Sequence, residues 1–342
     1  LAAIRWKPIQ IGQLLAYLPF NPETWERSAR FLGENETPYW VKIAPNPWEA
    51  GDNLEMATDK LVNHGRPYAA IDCLSKMLHD KKSVKAAQAA NVLIAALNST
   101  ENANALDRYH VVDIIKALQS DPNAEQEDFF KVEWAYLPLL DRDLGVSPKF
   151  LEQRLADDPE FFCEVIRTVF RSKNEEQPTE EPTEQKKNIA LNAYHLINHW
   201  CIPPGSQKDG SFNGSVLTAW LGEVKKICEK SGHIEVALSM AGQVLVCAPP
   251  DPDGLWIHRS AAECMNSKDA DKMRDGFRIR LFNSRGVHWV DPTGSPEREL
   301  ADKYRKQADE VATHGYHRLA DTLRELSASY EREAEWIVQR EK

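Results

Sequence analysis

His195 and His199 stand four residues apart in "NAYHLINHWC", with Cys201 two positions further on. On a helix that spacing puts both imidazoles on one face, where they could share a metal ion with a thiolate nearby. The pattern stops short of a metalloprotease site. Leu196 stands where an HExxH motif places its general-base glutamate, and no fourth ligand can be named. The pair therefore reads as a polar helix face in which Ile197 and Trp200 do the packing, and no metal is expected. In "HGYH", Gly315 between His314 and His317 marks a turn. "PPDPDGLW" offers several carboxylates, and Glu263 lies twelve residues beyond Asp251. Trp256, Ile257 and His258 nevertheless occupy positions where a calcium loop needs oxygens, so the stretch reads as a Pro-Asp-Gly turn. GxxxxGK[ST], GxGxxG and GxSxG are all absent. No catalytic residue and no cofactor is expected from this chain.

The remaining chemistry lies in "FNSRGVHWVDPTGSPERELADKYRKQAD", from Phe282 to Asp309. Asn283, Ser284 and Gly286 have turn chemistry, since Asn and Ser bond to nearby backbone and Gly accepts positive φ. Ser295 is a plausible N-cap, with Pro296 at the first helical position and Glu297 at the positive helix end. Arg278, Arg280 and Arg285 precede the loop, and Arg298 and Arg305 follow it. Arginine forks beside a helix N-terminus can hold a carboxylate or phosphate. Alternatively these arginines pair with Asp271, Asp275, Glu299 or Asp302. Together with Trp289 on the turn, the candidate binding residues are Arg278, Arg280, Arg285, Trp289, Arg298 and Arg305, with Arg285 as polar anchor.

The elements that position these residues follow a 3.6-residue period. Leu54, Thr58, Leu61 and Val62 form one apolar stripe, Ala70, Ile71, Leu74, Met77 and Leu78 a second, and Ala90, Val92, Leu93, Ile94 and Leu97 a third. Between the first two, Gly65 suits the end of one helix and Pro67 the start of the next, which makes a helical hairpin. Further helices are expected over 106–119, 125–137, 147–156 and 158–171, the last with Asp158 as N-cap. Two more are expected near 214–230 and 233–247. "FRIRLF" alternates like a strand but has no partner. No period of 34 or 40 residues persists, so the expected fold class is all-α, an irregular α-α hairpin (HEAT/TPR-like) solenoid in two lobes. "SKNEEQPTEEPTEQKKN", from Ser172 to Asn188, has no aliphatic or aromatic residue. It is expected to be an acidic flexible linker between an N-terminal lobe, 1–171, and a C-terminal lobe, 189–342.

Composition narrows the function classes. The 342 residues carry a formal net charge of −10 and a pI near 5.6, which disfavours general nucleic-acid or anionic-membrane binding. Charge is uneven: sixteen acidic residues face seven basic ones over 125–184, against seven acidic and ten basic over 268–306. No apolar run is long enough to span a bilayer. The six cysteines (Cys73, Cys163, Cys201, Cys228, Cys247 and Cys264) form no CxxC pair. They are expected as buried free thiols in a reducing cytoplasm. The chain begins at Leu1, and it reads as the C-terminal part of something longer.

Two stretches carry a resemblance: "VEWAYLPLLDRDLGVSPKFLEQRLADDPEFFCEVIRTVFR", and "DGFRIRLFNSRGVHW" continued through "GSPERELADKYRKQAD" to "ADTLRELSASYEREA". Here the chain resembles the helical C-terminal regions of large, poorly characterised bacterial proteins, some of them linked to defence or conflict systems. That resemblance implies recognition of a trigger while an upstream domain acts, and it supplies no catalytic residue. The expected function is a non-catalytic protein-interaction or regulatory region. Its partner would be a separate protein or another domain of the same polypeptide. The alternatives are a trigger-sensing module of an anti-phage defence protein and an accessory domain contacting nucleic acid.

Overall fold

A computed structural model describes residues 6–101, 106–121, 126–140, 142, 145–174, 183–286 and 289–340. Among them the chain is all-helical, and the single backbone bridge outside helices joins Ser206 and Phe212. "FRIRLF" lies inside a helix. The chain divides into two compact units, 1–151 and 152–342.

The N-terminal unit holds α1 (Pro8–Leu15), α2 (Pro22–Leu32), α3 (Thr37–Lys42), α4 (Leu54–Asn63), α5 (Pro67–His79), α6 (Ala86–Leu97), α7 (Arg108–Leu118) and α8 (Gln126–Tyr136). The expected stripes bury Leu54, Thr58 and Leu61, then Ala70, Ile71, Leu74 and Met77, then Ala90, Val92 and Leu93. Leu97 alone of the third stripe is exposed. Gly65 ends α4 at φ +74°, and the Arg66 N–H donates to the Leu61 carbonyl at 2.8 Å. Pro67 then opens α5, which packs against both α4 and α7. Towards the start of the unit Phe20, Trp25 and Trp40 meet edge to face or tilted, with centroids 5.0–6.3 Å apart. Glu36 accepts from the Trp40 indole at 2.9 Å and from Lys60 at 2.8 Å, so the Trp40 N–H of this cluster is satisfied, whereas the buried Trp25 N–H has no hydrogen-bond partner.

α9 (Lys149–Asp157) contains the boundary between the units. The C-terminal unit continues with α10 (Pro159–Val169), α11 (Glu184–His199), α12 (Gly214–Ser231), α13 (Ile234–Val244), α14 (Arg259–Asn266), α15 (Asp271–Asn283), α16 (Ser295–Thr313) and α17 (His317–Arg340). Asp158 caps α10 by accepting from the Phe161 N–H at 3.1 Å, as its position implies. Phe162, Trp200 and Trp220 pack together, and the two indole N–H groups donate to the Glu152 and Leu155 carbonyls in α9. Thus α10, α11 and α12 share one core. α13 packs on α15, and α16 pairs along α17.

The division therefore falls twenty residues before the expected linker. α10 belongs with the C-terminal unit because its apolar face is buried by α11 and α12. The stretch 172–188 is not uniformly a linker either. Ser172 is buried and donates to the Ser231 carbonyl at 2.8 Å, and Lys173 N–H donates to the Gly232 carbonyl. Thr183 caps a helix that already runs through Lys186–Asn188. Residues 175–182 lie outside the described set.

Candidate functional site

The arginine-rich region is built at the junction of α15, α16 and α17. The inner face of α15 buries Met273, Gly276, Phe277 and Leu281, which leaves its arginines to the flanks. Arg278 is half-buried there. Arg280 donates to the Asn198 carbonyl at 2.6 Å, where the last turn of α11 presents carbonyls without helical partners. Arg298 donates to the Thr293 carbonyl at 2.8 Å. Arg305 pairs with Asp302 at 2.8 Å, one of the partners expected from sequence, and also with Glu331.

Arg285 departs most from the expectation of an exposed polar anchor. Only 13% of its side chain is accessible, and it pairs with Glu297, whose side chain is fully buried. Glu333 of α17 stands 3.6 Å from the same guanidinium. The arginine is reassigned from the surface to the inside of the joint, where it ties the end of α15 to α16 and α17. Glu297 is correspondingly a core residue, not an exposed charge at a helix start. The helix start also shifts by one. Gly294, at φ +64°, is the N-cap, so Ser295 and Pro296 are its first two residues. A Cβ at Gly294 would sit 2.8 Å from the Ala334 carbonyl, so only glycine lets the loop lie against α17 here. Asp291 accepts from the Thr293 N–H at 2.8 Å and hydroxyl at 2.6 Å, and these bonds hold its carboxyl below the ordinary range.

The loop is thus fastened at both ends. Between the fastenings Trp289 is 98% exposed and Val290 60%. On α15, α17 and α16 respectively, Phe282 stacks on Tyr330 at 5.5 Å, and Tyr330 on Tyr304 at 5.8 Å, an aromatic ladder across the three helices. Of the six expected site residues, the structure turns Arg285 inward, occupies Arg280, Arg298 and Arg305 with local partners, leaves Arg278 at the flank, and presents Trp289 to solvent.

A second cluster, which sequence reading missed, lines a cavity of about 320 Å³ in the N-terminal unit. His110 Nδ1 lies 3.0 Å from Asp72, and its Nε2 lies 3.9 Å from Asp107. Burial pushes the Asp72 carboxyl up, which the His110 contact partly offsets. Lys76 sits 4.0 Å above the Trp48 ring, and His79 meets that ring edge-on. Both His110 nitrogens face carboxylates, so the geometry does not offer the imidazole to a serine as a nucleophile's base. Asp72 and His110 are 38 residues apart, and neither lies in a motif, so no local signal could have joined them.

His195 and His199 do share a face, with ring centroids 4.4 Å apart. Ile197 and Trp200 are buried beneath them as expected. Cys201 is committed elsewhere, in a disulfide with Cys247 whose Cα atoms are 5.5 Å apart. This corrects the expectation of six free thiols. Among the described residues no group of three or more His, Cys, Asp or Glu could hold a metal ion.

Fold and site together define an all-α protein built of packed helices, and no helix among the described residues is long and apolar enough to cross a membrane. Comparison with family models, with curated proteins and with solved structures gives no match for this chain.

Proposed function

We propose that this chain is a non-catalytic interaction module, an irregular solenoid-like succession of helical hairpins that binds a protein surface through the 282–296 loop. The partner is another domain of the same polypeptide or a separate protein. One observation carries this reading: a tryptophan 98% exposed, beside a valine 60% exposed, on a loop held at its base by buried and backbone contacts. Large aromatics are normally covered, and an exposed tryptophan is the kind of group that dominates interfaces. The defence-system reading rests on the resemblance alone. The nucleic-acid reading is weakened because Arg285, Arg298 and Arg305 already have acidic or carbonyl partners.

Trp289→Ala tests the proposal. Thermal stability should stay within about 0.5 kcal/mol of the parent, because the side chain touches little. Partner affinity should fall by about 2 kcal/mol or more, as at a hot spot. Quantitative capture with the parent, Trp289→Ala and Trp336→Ala identifies the partner as whatever only Trp289→Ala loses. Identical captured sets for all three would overturn the assignment. Captured nucleic acid that is released steeply as salt rises would favour the other class.

Placement in the cytoplasm belongs to the same proposal, and it requires the Cys201–Cys247 bond to survive there. Thiol counting on the native chain in reduced glutathione should find that bond intact. Its rapid loss would place the oxidised chain in an oxidising compartment.

A further inference from the structure

Cys163 of α10 and Cys228 of α12 are both fully buried, and their sulfur atoms lie 3.3 Å apart. A disulfide needs about 2.05 Å between sulfurs, so closure asks for a movement of little more than an ångström. The two residues are 65 apart in sequence, and neither belongs to a CxxC motif. A cleft of about 550 Å³ with charged side chains in its lining runs along the same pair of helices. Its lining includes Pro159 and Arg167, one turn to either side of Cys163, and Ile227 and Ser231, which flank Cys228; neither sulfur lines it, so α10 and α12 must part locally for a disulfide to reach them. Arg167, Lys226 and Lys230 give it cations, and Asp158, Glu160 and Glu223 give it anions.

We propose that Cys163 and Cys228 are a reversible dithiol–disulfide site, oxidised by a small zwitterionic disulfide that enters through the α10–α12 cleft. The mixed charges of the cleft suit a molecule bearing both ammonium and carboxylate groups. The pair is asymmetric. Their shared contact lowers the Cys228 thiol, with Arg167 acting in the same direction against burial, while the same contact and burial raise Cys163. Cys228, whose chain neighbour Ile227 lines the cleft, is the first sulfur to attack. Its sulfur attacks one sulfur of the small disulfide, forms a mixed disulfide and releases one thiolate. Cys163 then attacks the Cys228 sulfur and displaces the second. Two protein thiols are oxidised, one small disulfide is reduced to two thiols, and the two protein protons end on them. The new bond closes a loop that overlaps the Cys201–Cys247 loop, so the two cross-links interlace along the C-terminal unit.

The experiment uses the full chain with oxidised glutathione as probe, followed by alkylation in denaturant and peptide mapping. The expected product is a Cys163–Cys228 cross-linked peptide, with Cys73 and Cys264 still alkylated. Thermal melting should rise by roughly 5 °C or more, on the scale of a loop of this length in a unit of this size. Cys163→Ser and Cys228→Ser should each abolish both changes, so a folding failure in one leaves the other to decide. Arg167→Ala should slow the reaction several-fold. Free thiols at both positions after exposure, or a product that stops at a glutathione adduct, would overturn the pair as a redox site. Equal rates for Arg167→Ala and parent would overturn the cleft as its access route.

Discussion

Replacing Arg285 by alanine should cost the C-terminal unit about 3–5 kcal/mol, the range for removing one partner of a buried ion pair. The loss does not equal the worth of the pair. It arises because the carboxyl of Glu297, fully buried, would lose its main cation, with Glu333 left as a neighbouring carboxylate. Two companion variants separate this cause from lost packing. Arg285→Lys should recover part of the stability, since a single ammonium replaces a planar fork less than fully. The double variant Arg285→Met with Glu297→Met should recover most of it, because the fully buried charge is gone and Glu333 is partly exposed. Melting of the parent and the three variants decides the matter. If Arg285→Ala melts like the parent, the ion pair does not organise the joint and Arg285 returns to the surface.

The second large effect concerns two glycines that let α13 and α15 touch. A Cβ at Gly242 would lie 1.9 Å from the Met273 carbonyl oxygen, and a Cβ at Gly276 would lie 1.9 Å from the Ser239 carbonyl oxygen. These obstacles are backbone atoms and cannot rotate aside. Gly276→Ala must therefore push the helices apart and open gaps around the neighbouring buried Phe277 and Ala241. Helix propensity alone would favour alanine by about 1 kcal/mol. Overpacking costs about 1–3 kcal/mol and more where nothing can yield. The steric cost wins here, and a net loss of about 2 kcal/mol is expected, larger for Gly276→Val. Gly222 on α12 supplies the opposite sign, since a Cβ there meets nothing within 4 Å. Gly222→Ala should stabilise by about 0.5–1 kcal/mol. Urea unfolding of both alanine variants tests the contrast. A stabilised Gly276→Ala would show that the helices do not approach this closely in solution.

What was legible in the sequence is what a few consecutive residues decide. The stripes through Leu54, Ile71 and Leu93 announce helices because side chains four apart share a face. Gly65 and Pro67 announce a turn because one accepts positive φ and the other lacks an N–H. Asp158 announces a helix start because its carboxylate reaches the N–H three residues on. Trp289 stood out because a large aromatic beside turn residues needs a reason. Its near-complete exposure, however, follows only from where α15, α16 and α17 place the loop.

The tertiary structure alone decided which groups meet. Sequence shows that Arg285 wants an anion, but Asp271, Asp275, Glu297, Glu299, Asp302 and Glu333 offer the same chemistry. Only the packing of α16 on α17 selects Glu297 and Glu333. Six cysteines look alike until the fold sets Cys201 against Cys247 and Cys163 against Cys228. Gly242 and Gly276 look like weak points in two helices until the helices are in contact. The boundary moved from the polar stretch 172–188 to α9 for the same reason. Polarity marks where a chain need not be buried, whereas a domain ends where apolar faces change partners. Local geometry is fixed by bonds and sterics within a few residues, while partner choice depends on distances between residues far apart in the chain, which only the packed core determines.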